Sequence, residues 1–482
     1  MSVIARLASN KIAKNTSALM LAQMASRLLG VLYIGALARY VGTQGIGVIS
    51  TATSVAGLAI LLVGPGLDTL LVRDVAVERG RGAAYAGNVL LLKLALALPF
   101  FGLLVVIARL AHYPADTLPI IYTYVVVYLL DALCSTLASV FQAFEHMEYD
   151  ALTQVARDAV NVFLSLACIA LHWSLLAITL ASLAAQVVKL LLMSAIVRRR
   201  FLRPAFNAGL AGRAALLVTS LPFGVLLILH TVQAQLGSFM VSLYRPASEV
   251  GIYSSASTLV TMLLLLAGAF STAIFPAFSS LHAGESHGLR RLYRLSYKYL
   301  LIIGFPLGLG TILLGEQVIS LVYGDRFAAS APVIKILGLY LFALVGYANG
   351  PLLNAVGKQR FFAWTQALAV LLNVALCVVM VPRWGASGAA TAMVVAGVST
   401  FFVHSAACHR ELHLPLPWGT MARVALATAF MGLATVSALE LGVNWPLVLV
   451  LIAPGVYLAA ILAMGVLRAE DLGFMGSGAP VD

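Results

Sequence analysis

Residues Leu118–Gln142 read LPIIYTYVVVYLLDALCSTLASVFQ, an apolar run interrupted by a single charge, Asp131. A helix needs about 20 such residues to cross the roughly 30 Å hydrocarbon core of a bilayer, and this run is long enough. A membrane barrel strand would alternate apolar and polar side chains over about ten residues. This run does not alternate, so it reads as a spanning helix. The rest of the chain repeats the pattern. Of 482 residues, 61% are hydrophobic and 10% are charged, and the mean hydropathy is +0.99. A soluble domain carries about 25% charged residues, and surface-to-volume scaling would not let it hide this much apolar surface. Lipid is the solvent, and the backbone satisfies itself as helices.

Windows of the same kind fall near 18–38, 46–70, 87–110, 118–142, 152–171, 174–197, 214–241, 250–278, 298–323, 332–355, 361–381, 387–407, 421–441 and 446–467. The expected fold class is therefore all-α and integral to the membrane, with about fourteen spans. The net charge of +12 would suggest nucleic acid on a soluble protein. Here it follows from the excess of Lys and Arg in cytoplasmic loops, and no nucleic-acid partner is expected. With the N-terminus inside, the inner segments collect Arg6, Lys11 and Lys14, then Arg73, Arg79 and Arg81, then Arg198, Arg199 and Arg200, then Arg290, Arg291 and Arg294. The outer segments hold scattered single charges: Arg39, Arg109, Arg245, Arg326, Lys335 and Arg383. Both termini are expected in the cytoplasm. The segment SHGLRRLYRLSYKYL, from Ser286, has basic and aromatic residues at helical spacing, as expected of a helix lying along the membrane surface.

The chain also repeats internally. GVISTATSV from Gly47 pairs with GIYSSASTL from Gly251, and FQAFE from Phe141 pairs with LNAVG from Leu353. Thr153-Gln154 and Asn161-Val162 pair with Thr365-Gln366 and Asn373-Val374. An even number of spans separates the copies, so they share one orientation, a known transporter architecture. The expected organisation is an N-terminal lobe over 1–205, a second lobe over 206–412, and two further helices with a short tail over 413–482.

The repeat makes the intramembrane charges informative. Arg27, Lys93, Asp131, Arg157, Asp158 and Lys189 all fall in first-lobe spans. Shifted by the repeat, they become Thr231, Phe305, Ala343, Ala369, Val370 and Phe401. A charge at the centre of a spanning helix costs about 2.5–3.5 kcal/mol on insertion scales and usually faces a partner or a cavity. Lys93 and Lys189 can alternatively snorkel from cytoplasmic half-spans, and Asp131 can serve as a structural partner to a cation. Arg27, near mid-depth with Gln23 one turn earlier, is the strongest candidate for substrate or ion contact. Lys93, Lys189, Asp131 and Arg157 follow. His230 and Gln233 in the seventh span are further candidates, although such residues often hold helices together.

No HExxH, GxSxG or phosphate-binding Gly-rich motif is present, and no outer loop is large enough for a membrane-embedded polymerase or glycosyltransferase site. No enzymatic activity, cofactor or metal is expected. Cys134, Cys168, Cys377 and Cys408 lack metal-ligand spacing and read as small packing residues.

Several stretches together resemble a known family. They are SRLLG from Ser26 through LARYVGTQGIG, EVGIYSSAS from Glu249, LVYGDRFAASAPVIKILG from Leu321, NAVGKQRFFAW from Asn354, and LLNVALCVVMVPRWGASGAATA from Leu371. In order and spacing the chain resembles the polysaccharide or O-antigen flippases (Wzx-type) of the multidrug/oligosaccharidyl-lipid/polysaccharide exporter superfamily. The resemblance implies two six-helix lobes around a cavity that opens to one side and then the other. It also implies first-lobe cations that hold the pyrophosphate of a polyprenyl-linked glycan, and Arg27 matches the Arg of the SRxLG stretch. The implied substrate is a lipid-linked oligosaccharide, flipped from the cytoplasmic to the outer leaflet of the cell inner membrane for surface polysaccharide synthesis. Membrane lipid, a polysaccharide polymerase and chain-length machinery are the implied partners. The chain departs from the family in the seventh span, where VQAQLGSF stands in a region in which many members carry an Asp. The alternative is a multidrug or organic-cation antiporter of the same superfamily, which would be expected to have a net acidic cavity.

Overall fold

In the computed structural model, the described residues are 30, 33–110, 113–205, 210–282, 286–412, 418–442 and 446–467. Apart from short loops and turns they are helical, in this order: α1 (Tyr33–Leu62), α2 (Leu67–Val77), α3 (Gly82–Leu110), α4 (Leu118–Ala143), α5 (Glu148–Ala170), α6 (Leu175–Arg200), α7 (Leu210–Tyr244), α8 (Ala247–His282), α9 (Ser286–Tyr323), α10 (Ala331–Phe342), α11 (Asn349–Ala355), α12 (Gln359–Leu412), α13 (Trp418–Glu440) and α14 (Pro446–Ala463). The protein is an all-α integral membrane protein.

Ten helical stretches among the described residues are long and apolar enough to span, and an eleventh forms if the two arms of α7 are joined across their 59° bend. Pro222 lies a few residues before that bend, where a missing N–H and a ring clash account for a kink. Two of the long runs are fused pairs. Gly42, at φ 67, sits inside α1, and Gly385, at φ 53 and ψ −130, sits inside α12. Both fall between the expected spans, at 39–45 and 382–386. Splitting the runs there and adding the shorter α14 matches the expected spans from 46–70 onward; span 18–38 lies largely outside the described residues.

One span ends earlier than its hydropathy implies. The expected window 46–70 stops as a helix at Leu62. Gly64 and Gly66 both take φ 79, and the Pro65 between them cannot continue the hydrogen-bond ladder. A Cβ at Gly66 would lie 2.2 Å from the Ser220 carbonyl oxygen, so glycine is needed there for packing as well. The chain restarts as α2, with Asp68 in its first turn.

The contacts divide the chain into two compact units, Met1–Gly251 and Ile252–Asp482. This division falls one helix later than the boundary expected at 205. In the first unit, α4 packs against α6, α2 and α3, α5 packs on α6, and α2 packs on α7. Its core gathers Leu67, Leu71, Val89, Leu137, Phe141, Met193 and Val197, all buried. In the second unit, α9 is central, packing against α10, α13 and α14, while α10 also meets α12.

The repeat is visible in the backbone. FQAFE and LNAVG end their helices in the same way. His146 N–H donates to Phe141 O and Lys358 N–H to Leu353 O, each at 2.8 Å, and Glu145 and Gly357 N–H reach back to Gln142 O and Asn354 O. Glu145 (φ 64) and Gly357 (φ 77) are both left-handed, as this capping motif requires. Thr153 and Thr365 also match, each returning its hydroxyl to the carbonyls three and four residues earlier.

Candidate functional site

The first unit contains a half-open cavity of about 550 Å³. Its walls come from α2 (Asp68, Thr69, Arg73), α4 (Asp131, Ser135, Ser139, Gln142), α5 (Asp150) and α6 (Lys189). The lining residues cluster where α4 ends, where α5 begins and in the last half of α6, so one end of the helical unit carries the polar side chains. Alternate helices run in opposite directions, which is why residues so far apart in sequence reach the same depth.

Lys93, on α3, lies behind the lining and holds the lining residues Asp68 and Ser135. It is 2% exposed. Its Nζ lies 2.7 and 2.8 Å from the two carboxylate oxygens of Asp68, 2.7 Å from Ala132 O and 3.1 Å from Ser135 Oγ. The Ser135 and Thr136 hydroxyls also donate to Asp68, at 2.7 and 2.9 Å. An ammonium has three protons to give, and these acceptors use them all. A buried cation persists only when paired and hydrogen-bonded in this way. Lys93 therefore does not snorkel, and Asp68 is the partner that the sequence reading missed. The break at Gly64-Pro65-Gly66 turns Asp68 inward from what hydropathy shows as one continuous span.

Lys189 and Asp131 come together as neighbours on the cavity wall. Lys189 is 8% exposed, while the Asp131 side chain is 58% exposed to the opening. Lys189 donates to Gln154 Oε1 at 2.8 Å and lies 3.7 Å from Asp131 Oδ1. Asp131 also accepts from Gln186 Nε2 at 3.1 Å. Gln154 turns its amide nitrogen to Asp158 at 3.1 Å, and Arg157 Nη1 donates to Asp158 at 2.8 Å. A continuous polar chain thus links Arg157 to Asp131 across α5, α6 and α4. At the rim, the half-exposed Arg73 pairs with Asp74 at 2.7 Å. Tyr85 donates to the other oxygen of Asp74 at 2.6 Å. The Asp74 carboxyl is held below its usual range, chiefly by the Arg73 hydrogen bond.

Of the residues singled out from sequence, Lys189 and Asp131 line this cavity, Lys93 joins from behind through Asp68 and Ser135, and Arg157 joins through Gln154 and Asp158. His230 and Gln233, on α7, are not among its lining residues. Arg27 lies outside the described residues. The sequence reading did not single out Asp68, Asp150, Arg73 or Gln186. The signal for Asp68 is an acid within one helical turn of a Gly-Pro-Gly break, a pattern that hydropathy averages away.

A family model described as "Polysaccharide biosynthesis protein" matches residues 12–282. The chain is 24% identical over 210 residues to "Teichuronic acid biosynthesis protein TuaB" of Bacillus subtilis (strain 168), covering 42% of each chain. It is 22% identical over 212 residues to "Probable low-salt glycan biosynthesis flippase Agl15" of Haloferax volcanii, covering 42% of this chain and 44% of that one. The matched region thus spans less than half the length of either relative. Among solved structures, "Lipid II flippase MurJ, inward closed conformation" superposes with a TM-score of 0.78 at 15% identity, covering 94% of this chain and 100% of that one. This likeness establishes a shared fold.

Proposed function

The chain belongs to the polysaccharide biosynthesis protein family, and from that premise we propose that it is a flippase for lipid-linked saccharides. The substrate in this reading is a polyprenyl-pyrophosphate-linked oligosaccharide, moved from the cytoplasmic to the outer leaflet for cell-surface polysaccharide synthesis. The observation that carries the proposal is the 550 Å³ cavity, lined by charged, amide and hydroxyl side chains, within a unit of membrane-spanning helices. A cavity of this size fits a drug- or sugar-sized group, and it lies at the end of the unit that the Lys and Arg distribution assigns to the cytoplasm.

The steps follow from the residues. The polyprenyl tail stays in lipid while the head group leaves the cytoplasmic leaflet. Arg27 meets the diphosphate, the role that the SRLLG resemblance gives it. The saccharide enters the cavity between Asp131, Lys189 and Gln142. Asp68, held from behind by Lys93, forms part of its fixed wall. Access then alternates, and the head group leaves on the outer side. Moving two negative charges outward is assisted by the membrane potential, at about 2.3 kcal/mol per charge per 100 mV, or roughly 4–5 kcal/mol in total.

A second reading, organic-cation export, has one observation in its favour: the lining holds three carboxylates, Asp68, Asp131 and Asp150, against two cations, Arg73 and Lys189. Reconstitution separates the two readings. Purified protein in liposomes should expose a labelled polyprenyl-pyrophosphate oligosaccharide to a membrane-impermeant probe on the far leaflet. Protein-dependent movement of cationic dyes, with none of the lipid-linked saccharide, would establish the exporter instead.

A further inference from the structure

The charges around the cavity do not balance, and the imbalance has a location. Three cations are each committed to an acid: Lys93 to Asp68 at 2.7 Å, Arg73 to Asp74 at 2.7 Å, and Lys189 to Asp131 at 3.7 Å. The fourth acid, Asp150, also lines the cavity. Among the described residues its carboxylate receives no hydrogen bond, and it shares only the field of Lys189 with Asp131. The acceptors that remain open to a guest are thus the exposed Asp131 carboxylate and Asp150. Gln142, Ser139 and Thr69 stand beside them as neutral donors and acceptors.

We infer that this cavity selects the saccharide by charge, admitting neutral or amine-bearing sugars and rejecting acidic ones. The inference rests on the flippase reading above and specifies its substrate class. Carboxylates, an amide and hydroxyls are the groups that receive sugar O–H donors, and a carboxylate receives an ammonium more strongly still. A uronate carboxylate in the same place would face Asp131 and Asp150, with Lys189 shared between them and the second lining cation, Arg73, paired with Asp74 at the rim. Discrimination by an unpaired like charge is a common route to specificity. The same argument gives the diphosphate no place among these acids. It also accounts for the carboxylate excess without an organic cation as cargo.

The test compares three polyprenyl-pyrophosphate trisaccharides of equal length in proteoliposomes: all-neutral, one bearing a free amine, and one bearing a uronic acid. The neutral and amine-bearing forms should flip at least about tenfold faster than the uronate form, the usual scale for one unpaired like charge. Asp150→Asn should raise the uronate rate and compress that ratio several-fold, while Asp150→Glu should keep it. Thermal unfolding in detergent provides the control that all variants are folded. Equal rates for the three substrates, a faster uronate, or an unchanged ratio in Asp150→Asn would overturn the inference and leave the flippase reading standing. Movement of none of the three would defeat the flippase reading, and this inference with it.

Discussion

The two units share helix caps and back-bonded threonines, yet their interiors differ in kind. The first buries charges: Lys93 with Asp68, and Lys189 beside Asp131. The second buries neutral polar groups. Tyr293 donates to Asn349 Oδ1 at 2.8 Å, Asn349 donates to Ser405 Oγ at 3.0 Å, and Ser255 pairs with Ser330 at 2.9 Å. The positions matching Lys93 and Lys189 are Phe305 and Phe401. Phe305 packs edge-on against Phe342 at 5.2 Å, and Phe401 lies tilted against Phe402 at 5.2 Å. Two ion pairs of the second unit, Lys335–Glu316 and Lys358–Glu411, join exposed or half-exposed side chains. Among the described residues the buried ion pair Lys93–Asp68 belongs to the first unit, while the matching position in the second, Phe305, is aromatic.

The sharpest way to break this contrast is to remove one buried charge. Lys93→Met leaves Asp68 as an uncompensated acid and should cost about 3–5 kcal/mol. Thermal unfolding in detergent would register the loss, and the double variant Lys93→Met/Asp68→Asn should recover much of it. Unchanged stability in the single variant would mean that the first unit does not depend on its ion pair. Next in size, Arg27→Ala should lower lipid-linked saccharide flipping at least about 30-fold, taking ~2 kcal/mol for one lost charge contact, with membrane insertion intact. Normal flipping at matched expression would remove Arg27 from the site. In the second unit, Tyr293→Phe leaves Asn349 Oδ1 without its phenol donor, and it should cost about 1–3 kcal/mol in stability without changing substrate preference. The smallest effects sharpen the matched caps. Glu145→Gly should stabilise by about 1 kcal/mol, because glycine carries no left-handed penalty, while Gly357→Ala should destabilise by a similar amount. Equal signs for the two would mean that the caps are not equivalent.

Much of the fold was legible because spans are encoded locally. An apolar run of the right length can be read without knowing its neighbours, and the glycine breaks at Gly42 and Gly385 fall where hydropathy dips. The exception is instructive. Window 46–70 reads as a single span, but Gly64-Pro65-Gly66 overrides its hydropathy through backbone geometry. The site was legible only in part: both members of Lys189–Asp131, but one member of Lys93–Asp68. Lys93, Lys189 and Asp131 stand out as charges in lipid. Asp68, Asp150 and Gln186 sit near span ends or are uncharged, and nothing in one window reveals which helix lies opposite. The repeat register located the asymmetry between Lys93 and Phe305, but it could not show that Lys93 is fully engaged by its partners.

The Gly-Pro-Gly break also bears on how the chain is made. Synthesis runs from the N-terminus, so Asp68 leaves the ribosome before Lys93, and Ser135 and Thr136 follow only later. The α2–α3 hairpin thus carries both members of its ion pair before α4 exists. A lysine that would enter hydrocarbon alone, at about 2.5–3.5 kcal/mol on insertion scales, has its counter-charge already waiting on the preceding helix. Translation order gives Lys93 an escort into the bilayer.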